Sequence, residues 1–346
     1  MTTRPPATVR LSVVIVNYNS WPDTLRLVGE LANAPEVRSG LCEVVIVDNA
    51  SAGPPPSELD AANASVRLVE REDNGGFAAG VNDGVRAAHG ARILVLNPDV
   101  VTAPDFLSRV FRRLDGDEKS GARPPGVVGF ALVNSDGSRQ GSVGAFPDLA
   151  RVVWEQFIPR SRRKYQADWR PEGGSVDWVT GACMLLSRDM LDEIGGMDED
   201  FFLYHEEVAL CRVARDAGWR VEYDPSAEVV HRDPLQNRAL SPKMRLITRH
   251  SKLLYFRKHL PRWQFLILSW VVTLESGCAL LWLRAREETQ ETRSWARIGE
   301  VARALRNGET PGGGTVRRLA EAVEETGPDD GGASKPTSGL GAHRRN

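Results

Sequence analysis

The sequence predicts an open, mostly parallel α/β sheet with helices on its faces. Apolar, β-branched runs recur at residues 11–16 (LSVVIV), 43–47 (EVVIV) and 93–96 (ILVL), with a further strand expected at 66–69. Runs of that kind are strands buried on both faces. Each run ends in a polar cluster (NYNS, DNAS, DNGG and NPD in turn), and helical patterns separate them. That alternation indicates βαβ units. Open α/β sheets bind ligands outside the carboxyl ends of their strands, so a site is expected along these clusters.

Taken in order, Ser20 stands where it can cap a helix carrying Leu25, Leu27, Val28 and Leu31. A second helix is expected over residues 77–88, after Asn74-Gly75-Gly76. Residues 116–126 are rich in Gly, Pro and charge and predict a loop, followed by two short strands at 127–129 and 131–133. The stretch 137–176 has no clear period and carries a basic patch, Arg160 to Lys164. A buried strand is expected at 179–186 and a helix at 188–194 ending on Gly195-Gly196. A further helix at 208–217 stops at Gly218, and two short strands follow at 220–223 and 229–230.

The last third differs in kind. Residues 236–262 hold eight Lys or Arg and no acid, and 263–283 are almost wholly apolar apart from Glu275. From 307 onward Gly, Pro, Ser, Thr and charge dominate, which predicts a disordered tail. The expected organisation is a catalytic unit over 1–235, a basic and apolar helical extension over 236–306, and the tail over 307–346. The chain has 346 residues, a formal net charge of -2, 41% hydrophobic and 26% charged residues. These values exclude a wholly disordered or fibrous chain and give no global basic field for nucleic acid. Four scattered cysteines without a CxxC pair argue against a zinc ribbon or a disulfide scaffold and for a reducing, cytoplasmic compartment. The N-terminal residues lack the apolar core of a secretory signal.

Asp99 directly follows a buried strand, so its carboxylate can hold a hard divalent cation bridging two phosphates. Asn-Pro-Asp is also an ordinary turn sequence. Gly75, Gly76 and Gly80 precede a helix, but their spacing is not G-x-G-x-x-G and they follow the third strand, which argues against a dinucleotide fold. His205-Glu206-Glu207 offers a general base, or equally an acidic helix start favoured by the helix dipole.

In order along the chain come NYNS, VDNAS, DNGGFAAGVN, LNPDV, WVTGACMLL, GGMDEDFFLYHEEVALC and VVH. This succession resembles the inverting family-2 glycosyltransferases, in particular their rhamnosyltransferase-like branch, over about residues 11–231. The resemblance implies a GT-A fold, Rossmann-like with a C-terminal helical extension, a nucleotide-sugar donor (dTDP- or UDP-linked), a divalent cation (Mg²⁺ or Mn²⁺) and single displacement. It implies that Asp48 contacts the nucleoside, that Val16, Asn17 and Tyr18 border the base, and that Asn74, Gly76 and Asn82 line the donor site. Asp99 falls at the end of the family's D-x-D motif, where Asn97 replaces the first aspartate and leaves one carboxylate. Asp99 and His231 are the implied metal ligands. Glu207 falls on the family's base position, with Glu206 beside it. Trp178, Gly181 and Tyr204 are the implied acceptor contacts, and Phe201 or Phe202 is expected to be packing. Ala209 stands where many relatives have aspartate, so any contact made by that acid is absent.

The resemblance further implies transfer to a glycan or polyprenyl-linked acceptor in cell-surface polysaccharide synthesis. Asn97, Ala209 and Glu207 as departures also fit a catalytically silent nucleotide-sugar-binding scaffold at a membrane. A nucleotidyltransferase would need a glycine- and lysine-rich loop near the N-terminus, and residues 17–21 contain neither. The apolar stretch 263–283 is long enough to span a bilayer, to lie in its plane, or to pack against the catalytic unit. Glu275 disfavours a span and the preceding basic run favours an anionic surface, so peripheral association with the inner face of the cell membrane is the expectation. Oligomeric state is not legible.

Overall fold

The computed structural model describes residues 9–59, 65–156, 172–232, 240–283 and 289–324. In chain order the elements are β1 (Leu11–Asn17), α1 (Trp21–Ala32), α2 (Pro35–Arg38), β2 (Cys42–Asp48), β3 (Val66–Glu70), α3 (Phe77–Ala87), β4 (Arg92–Leu96), β5 (Val100–Thr102) and α4 (Phe106–Ser120). Then come β6 (Val127–Val133), β7 (Arg139–Gln140), β8 (Val143–Gly144), α5 (Leu149–Gln156), β9 (Gly174–Ser175), β10 (Trp178–Val179) and β11 (Cys183–Ser187). The chain continues through α6 (Arg188–Ile194), α7 (Glu206–Asp216), β12 (Val221–His231), α8 (Pro242–His259), α9 (Arg262–Leu283), α10 (Gln290–Arg306) and α11 (Gly313–Glu324).

Strands β1, β2 and β4 are buried over their whole lengths because helices cover both faces of the sheet. Their side chains alternate between two apolar layers. Val14, Val16, Val45 and Val47 face α3, α7 and the C-terminal helices. Val13, Ile15, Val44 and Ile46 face α1 and α4. The ten-stranded sheet runs β3-β2-β1-β4-β11-β6-β12-β5, with β7 added to β6 and β9 to β12. β3, β2, β1 and β4 are mutually parallel, and β11 enters antiparallel between β4 and β6. β10 pairs with β8 in a separate small sheet.

α3 lies unusually close to β1. A Cβ at Gly80 would stand 2.6 Å from Val16 Cγ1, and one at Gly84 would stand 2.3 Å from Val14 Cγ1. Glycines one turn apart therefore let the helix approach the strand that opens the site.

Several expectations need correction. Ser20 occupies the N-cap of α1, but its side chain caps no backbone N–H. Residues 116–120, expected as loop, are the last turn of α4, whose buried stripe is Phe106, Leu107, Val110, Phe111 and Leu114. The helix ends on Gly121 in the left-handed region (φ 64°). The two short strands of 127–133 are one, and 221–231 is one strand with an irregularity between Asp224 and Glu228. The single strand expected at 179–186 is broken at Thr180-Gly181-Ala182, so β10 and β11 belong to different sheets. The expectation of a disordered tail from 307 fails for α11, where Val316, Ala320 and Val323 are buried in the main core. The patch Arg160 to Lys164 lies outside the described residues.

α8 starts at Ser241, whose Oγ accepts from Met244 N at 3.2 Å. Its Leu253, Leu254 and Phe256 pack in one core with Ile298, Val301 and Leu305 of α10. α9 is covered on one side only, a point developed below.

Candidate active site

Register decides which side chains meet. Asn17 pairs with Asp48 across β1 and β2, and Ile15 pairs with Leu96 across β1 and β4, so Asn97 to Asp99 emerge at the same edge. β11 runs the other way, with Cys183 opposite Leu96, which brings Ala182 and Gly181 to that edge. Asn97 N donates to Ala182 O at 3.0 Å. A Cβ on Gly181 would lie 3.8 Å from Glu207 Cβ. The carboxyl edge therefore runs Asp48, Asn17, Asn97 to Asp99, Gly181, Glu207. Three strand spacings separate its first and fourth strands, about 14 Å.

At the β1–β2 end the polar groups form a closed network. Asn17 Nδ2 donates to Asp48 Oδ1 (2.8 Å) and Ser51 Oγ (3.1 Å), while Thr24 Oγ1 donates to Asn17 Oδ1 (2.9 Å). Ser51 donates to Asp48 through Oγ (2.6 Å) and N (3.2 Å). These bonds fix the Asp48 carboxylate, which is almost fully buried, in one rotamer. Tyr18, by contrast, is exposed at the rim.

The glycine loop after β3 is held by Asn49, which sequence reasoning did not single out. Asn49 Nδ2 donates to Asn74 Oδ1 (2.9 Å) and Gly76 O (3.0 Å), and Gly75 N donates to Asn49 Oδ1 (3.2 Å). Asn74 Oδ1 also accepts from Gly76 N at 3.0 Å. The signal for Asn49 was its place beside Asp48 at a strand end, next to an Asn-Gly-Gly turn. Gly76 has φ 91°, and a Cβ there would sit 2.1 Å from Phe202 O. Phe77 N donates to the same carbonyl at 3.0 Å, locking this loop to the segment that leads into α7.

At the β4 end Asp99 Oδ2 lies 3.4 Å from His231 Nε2, because β12 and β5 pair His231 with Val100. The buried Gln140 contacts His231 Nδ1 through Oε1 at 3.2 Å, which orients the ring. A carboxylate and an imidazole are a donor set that a hard divalent cation accepts. Among the described residues no group of three His, Cys, Asp or Glu forms a closed cage. Remaining ligands would be phosphate oxygens and water, the mode Mg²⁺ favours. Beside the pair is a cavity of about 210 Å³ lined by Asp23, Asp99, Ser135 and Arg232. Arg232, another residue not foreseen, pairs with Asp23 at 3.0 Å; its signal was adjacency to His231.

At the far end Glu206 and Glu207 occupy the first turn of α7. The Oε2 atoms of both are buried without a hydrogen-bond partner. Burial pushes the Glu207 carboxyl up to about 7. Burial, and then the like charge of Glu207, push Glu206 well above the usual carboxylate range. Burial and the Lys252 charge hold the neighbouring His205 imidazole neutral, with its pKa lowered to about 3. Tyr204 and His205 both have φ 68°. With Asn19 (φ 53°) and Ala50 (φ 59°) they are the non-glycine residues in the left-handed region among those described, and all four adjoin this edge. Such strain concentrates at functional sites.

Two expected contacts go elsewhere. Trp178 is buried with its indole N–H donating to Ala145 O at 2.9 Å, and it fills the space a Cβ on Gly144 would need. Its ring packs beneath β8, the partner of β10 in the small second sheet. Asn82 donates to Met197 O and Glu199 Oε1 (both 2.8 Å) and accepts from Met197 N (2.9 Å). Its amide braces α3 against the 197–199 turn. Phe201 and Phe202 are both buried.

Comparison with known proteins agrees with this architecture. The family model described as "Glycosyl transferase family 2" matches residues 12–195. The N-acetylglucosaminyl-diphospho-decaprenol L-rhamnosyltransferase of Mycobacterium tuberculosis is 30% identical over 269 residues, 70% of this chain and 85% of the relative. The low-salt glycan biosynthesis hexosyltransferase Agl10 of Haloferax volcanii is 25% identical over 233 residues, 65% of this chain and 68% of that one. Among solved structures, GalNAc-T7 crystallised with UDP, GalNAc and Mn²⁺ superposes with a TM-score of 0.51 at 18% identity. That superposition covers 73% of this chain and about half (52%) of GalNAc-T7, and it establishes a shared GT-A fold.

Proposed function

The chain belongs to glycosyl transferase family 2 and is a glycosyltransferase, and from that premise we propose that it transfers rhamnose from a nucleoside-diphosphate donor to a hydroxyl of a lipid-linked sugar, with inversion. The observation that carries this reading is the single sheet edge on which Asp48, Asp99 and Glu207 converge. The rhamnose and the polyprenyl-diphosphate acceptor are suggested by the mycobacterial relative, whose name specifies both a rhamnosyl transfer and a decaprenol-linked substrate.

The donor would lie along the edge with its nucleoside at Asp48 and Tyr18 and its diphosphate over the loop from Asn97 to Asp99. Asp48, already pinned by Asn17 and Ser51, presents a fixed acceptor to ribose or base hydrogens. A Mg²⁺ or Mn²⁺ ion held by Asp99 and His231 would supply positive charge to the leaving diphosphate. Arg232 stands beside the same cavity and can leave Asp23 for a phosphate oxygen. Gly181, whose missing side chain makes room for the Phe77 ring beside Glu207, would border the acceptor between that loop and Glu207.

The acceptor oxygen attacks the anomeric carbon as the bond from that carbon to the diphosphate oxygen breaks. The proton of the acceptor hydroxyl goes to Glu207. A carboxylate raised to about 7 is half ionised near neutrality and is a stronger base than an exposed glutamate. Glu206 is the more deeply buried of the pair, and burial together with the charge of Glu207 favours its neutral form, so the proton of the acceptor is assigned to Glu207.

The test is thermal unfolding against a panel of nucleotide sugars, with and without Mg²⁺ or Mn²⁺. A cognate donor at about 100 times its Kd adds about 2.7 kcal/mol of stability. Stabilisation by dTDP-rhamnose that needs the cation and disappears in Asp48→Ala supports the reading. A panel in which no nucleotide sugar stabilises the protein overturns it.

A further inference from the structure

Resting on the reading of a lipid-linked acceptor, we propose that α9, together with α5, is a membrane-docking face that lies in the plane of an anionic leaflet. α9 is long and apolar enough to cross a bilayer, yet only one of its sides is covered. Phe265, Leu268, Val272 and Leu283 pack inward. Trp263, Ile267, Trp270, Leu274 and Leu281, at helical spacings of three, four and seven, form an exposed stripe, with Leu274 65% and Trp270 55% accessible. From Trp263 to Leu281 the stripe runs about 27 Å. Trp154 of α5 is 67% accessible, and Leu149 N of the same helix donates to Gln264 Oε1 at 3.1 Å, which ties α5 to the start of α9. An apolar surface this long and continuous on a folded chain marks a contact site.

Polar tethers on the covered side exclude a spanning pose. Arg306 of α10 donates to Ser269 O (3.1 Å), Ser269 Oγ (3.0 Å) and Thr273 Oγ1 (2.7 Å). Ser276 Oγ donates to Trp295 O at 2.5 Å. A spanning α9 would drag these groups, and the guanidinium of Arg306, into hydrocarbon. Lying flat keeps them. Glu275, the one acid of the helix, is paired with Arg249 of α8 at 2.5 Å and so does not oppose an anionic surface.

The occupant is a lipid surface on grounds of charge and place. Cations adjoin the stripe: the Arg306 guanidinium stands 4.2 Å from the centre of the Trp270 ring, the exposed Arg262 opens the helix, and the one acid of α9, Glu275, is paired with Arg249. They match anionic headgroups, while tryptophans suit the headgroup boundary. The face also leads to the proposed acceptor side of the site: α5 follows β8, which pairs with β10, and β10 runs into Gly181.

Flotation with phosphatidylcholine–phosphatidylglycerol vesicles tests this on the full chain, independently of any transferase activity. The wild type should float with the vesicles and be released by an alkaline carbonate wash. Trp263→Ser, Ile267→Ser, Leu274→Ser and Leu281→Ser combined should weaken partition at least about tenfold. Thermal unfolding of the combined variant and its stabilisation by a nucleotide sugar should match wild type, which keeps failure of docking separate from failure of the catalytic reading. Should the combined variant misfold, Leu274→Lys alone serves, with the same expected loss of flotation. Resistance to carbonate would establish a span and overturn the proposal. So would a lipid-free dimer abolished by the same substitutions, or equal flotation of wild type and variant.

Discussion

Glu207→Gln should remove transfer and, at the same time, flatten part of the pH dependence of stability. The two effects have opposite slopes in the wild type. A base must be ionised, so activity rises with pH through about 7. The folded-state pKa is raised above that of the unfolded chain, so the unfolded state ionises first. Stability is therefore greatest below the unfolded pKa of about 4.5, falls as pH rises toward 7, and levels off above it. The rise from 4.5 to about 7 corresponds to on the order of 3 kcal/mol across that window. Glutamine has the same shape and never ionises. The variant should lose about 10²–10⁴-fold in kcat, keep its donor affinity, and gain stability at pH 8 relative to wild type. Initial rates and urea unfolding over pH 5–9 measure all three quantities. A variant with wild-type rate, or with a stability profile that superposes on wild type, would refute the placement of an unpartnered base at this position.

Glu206→Gln replaces a carboxyl that burial already keeps neutral, so the rising limb of the activity profile should stay in place, which rate measurements over the same range report. Gly76→Ala places a methyl 2.1 Å from Phe202 O on a left-handed backbone, so it should cost about 2–4 kcal/mol in unfolding and raise KM for the donor. Asp99→Asn and His231→Ala should each weaken cation-dependent donor stabilisation about 10–100-fold while leaving the stabilisation by a nucleoside alone unchanged, read by thermal shift.

Much of the sheet was legible because parallel strands covered on both faces are written as unbroken β-branched runs. Residues 11–17, 42–48 and 92–96 are such runs, while the edge strand 66–70 is only partly buried, and the polar clusters closing the runs mark the edge where Asp48, Asn97 and Asp99 stand. α4 escaped notice because Arg112, Arg113, Asp115, Asp117, Glu118 and Lys119 surround its core stripe and Gly116 interrupts it; the spacing Phe106, Val110 and Leu114 was the available signal. α11 was hidden by Gly312-Gly313-Gly314, although Val316, Ala320 and Val323 keep a helical period. Its first glycine packs on the loop of Gly75 and the carbonyl of Glu199, a long-range fit no local pattern encodes. The hydrogen-bond partners of Asn82 and Trp178 were hidden for the same reason. Whether an amide faces a ligand or a neighbouring turn depends on segments more than 100 residues away, as with Asn82 and Met197. The break between β10 and β11 likewise depends on which strand each half pairs with, and both halves are equally apolar in sequence.

The most direct measurement is the anomeric configuration of the product, read by NMR after transfer from a nucleotide sugar of known configuration. One displacement at the carbon facing Glu207 predicts the inverted anomer with wild-type protein, formed about 10²–10⁴-fold more slowly with Glu207→Gln. A retained anomer would mean two displacements or another geometry, and the assignment of this edge would have to be abandoned.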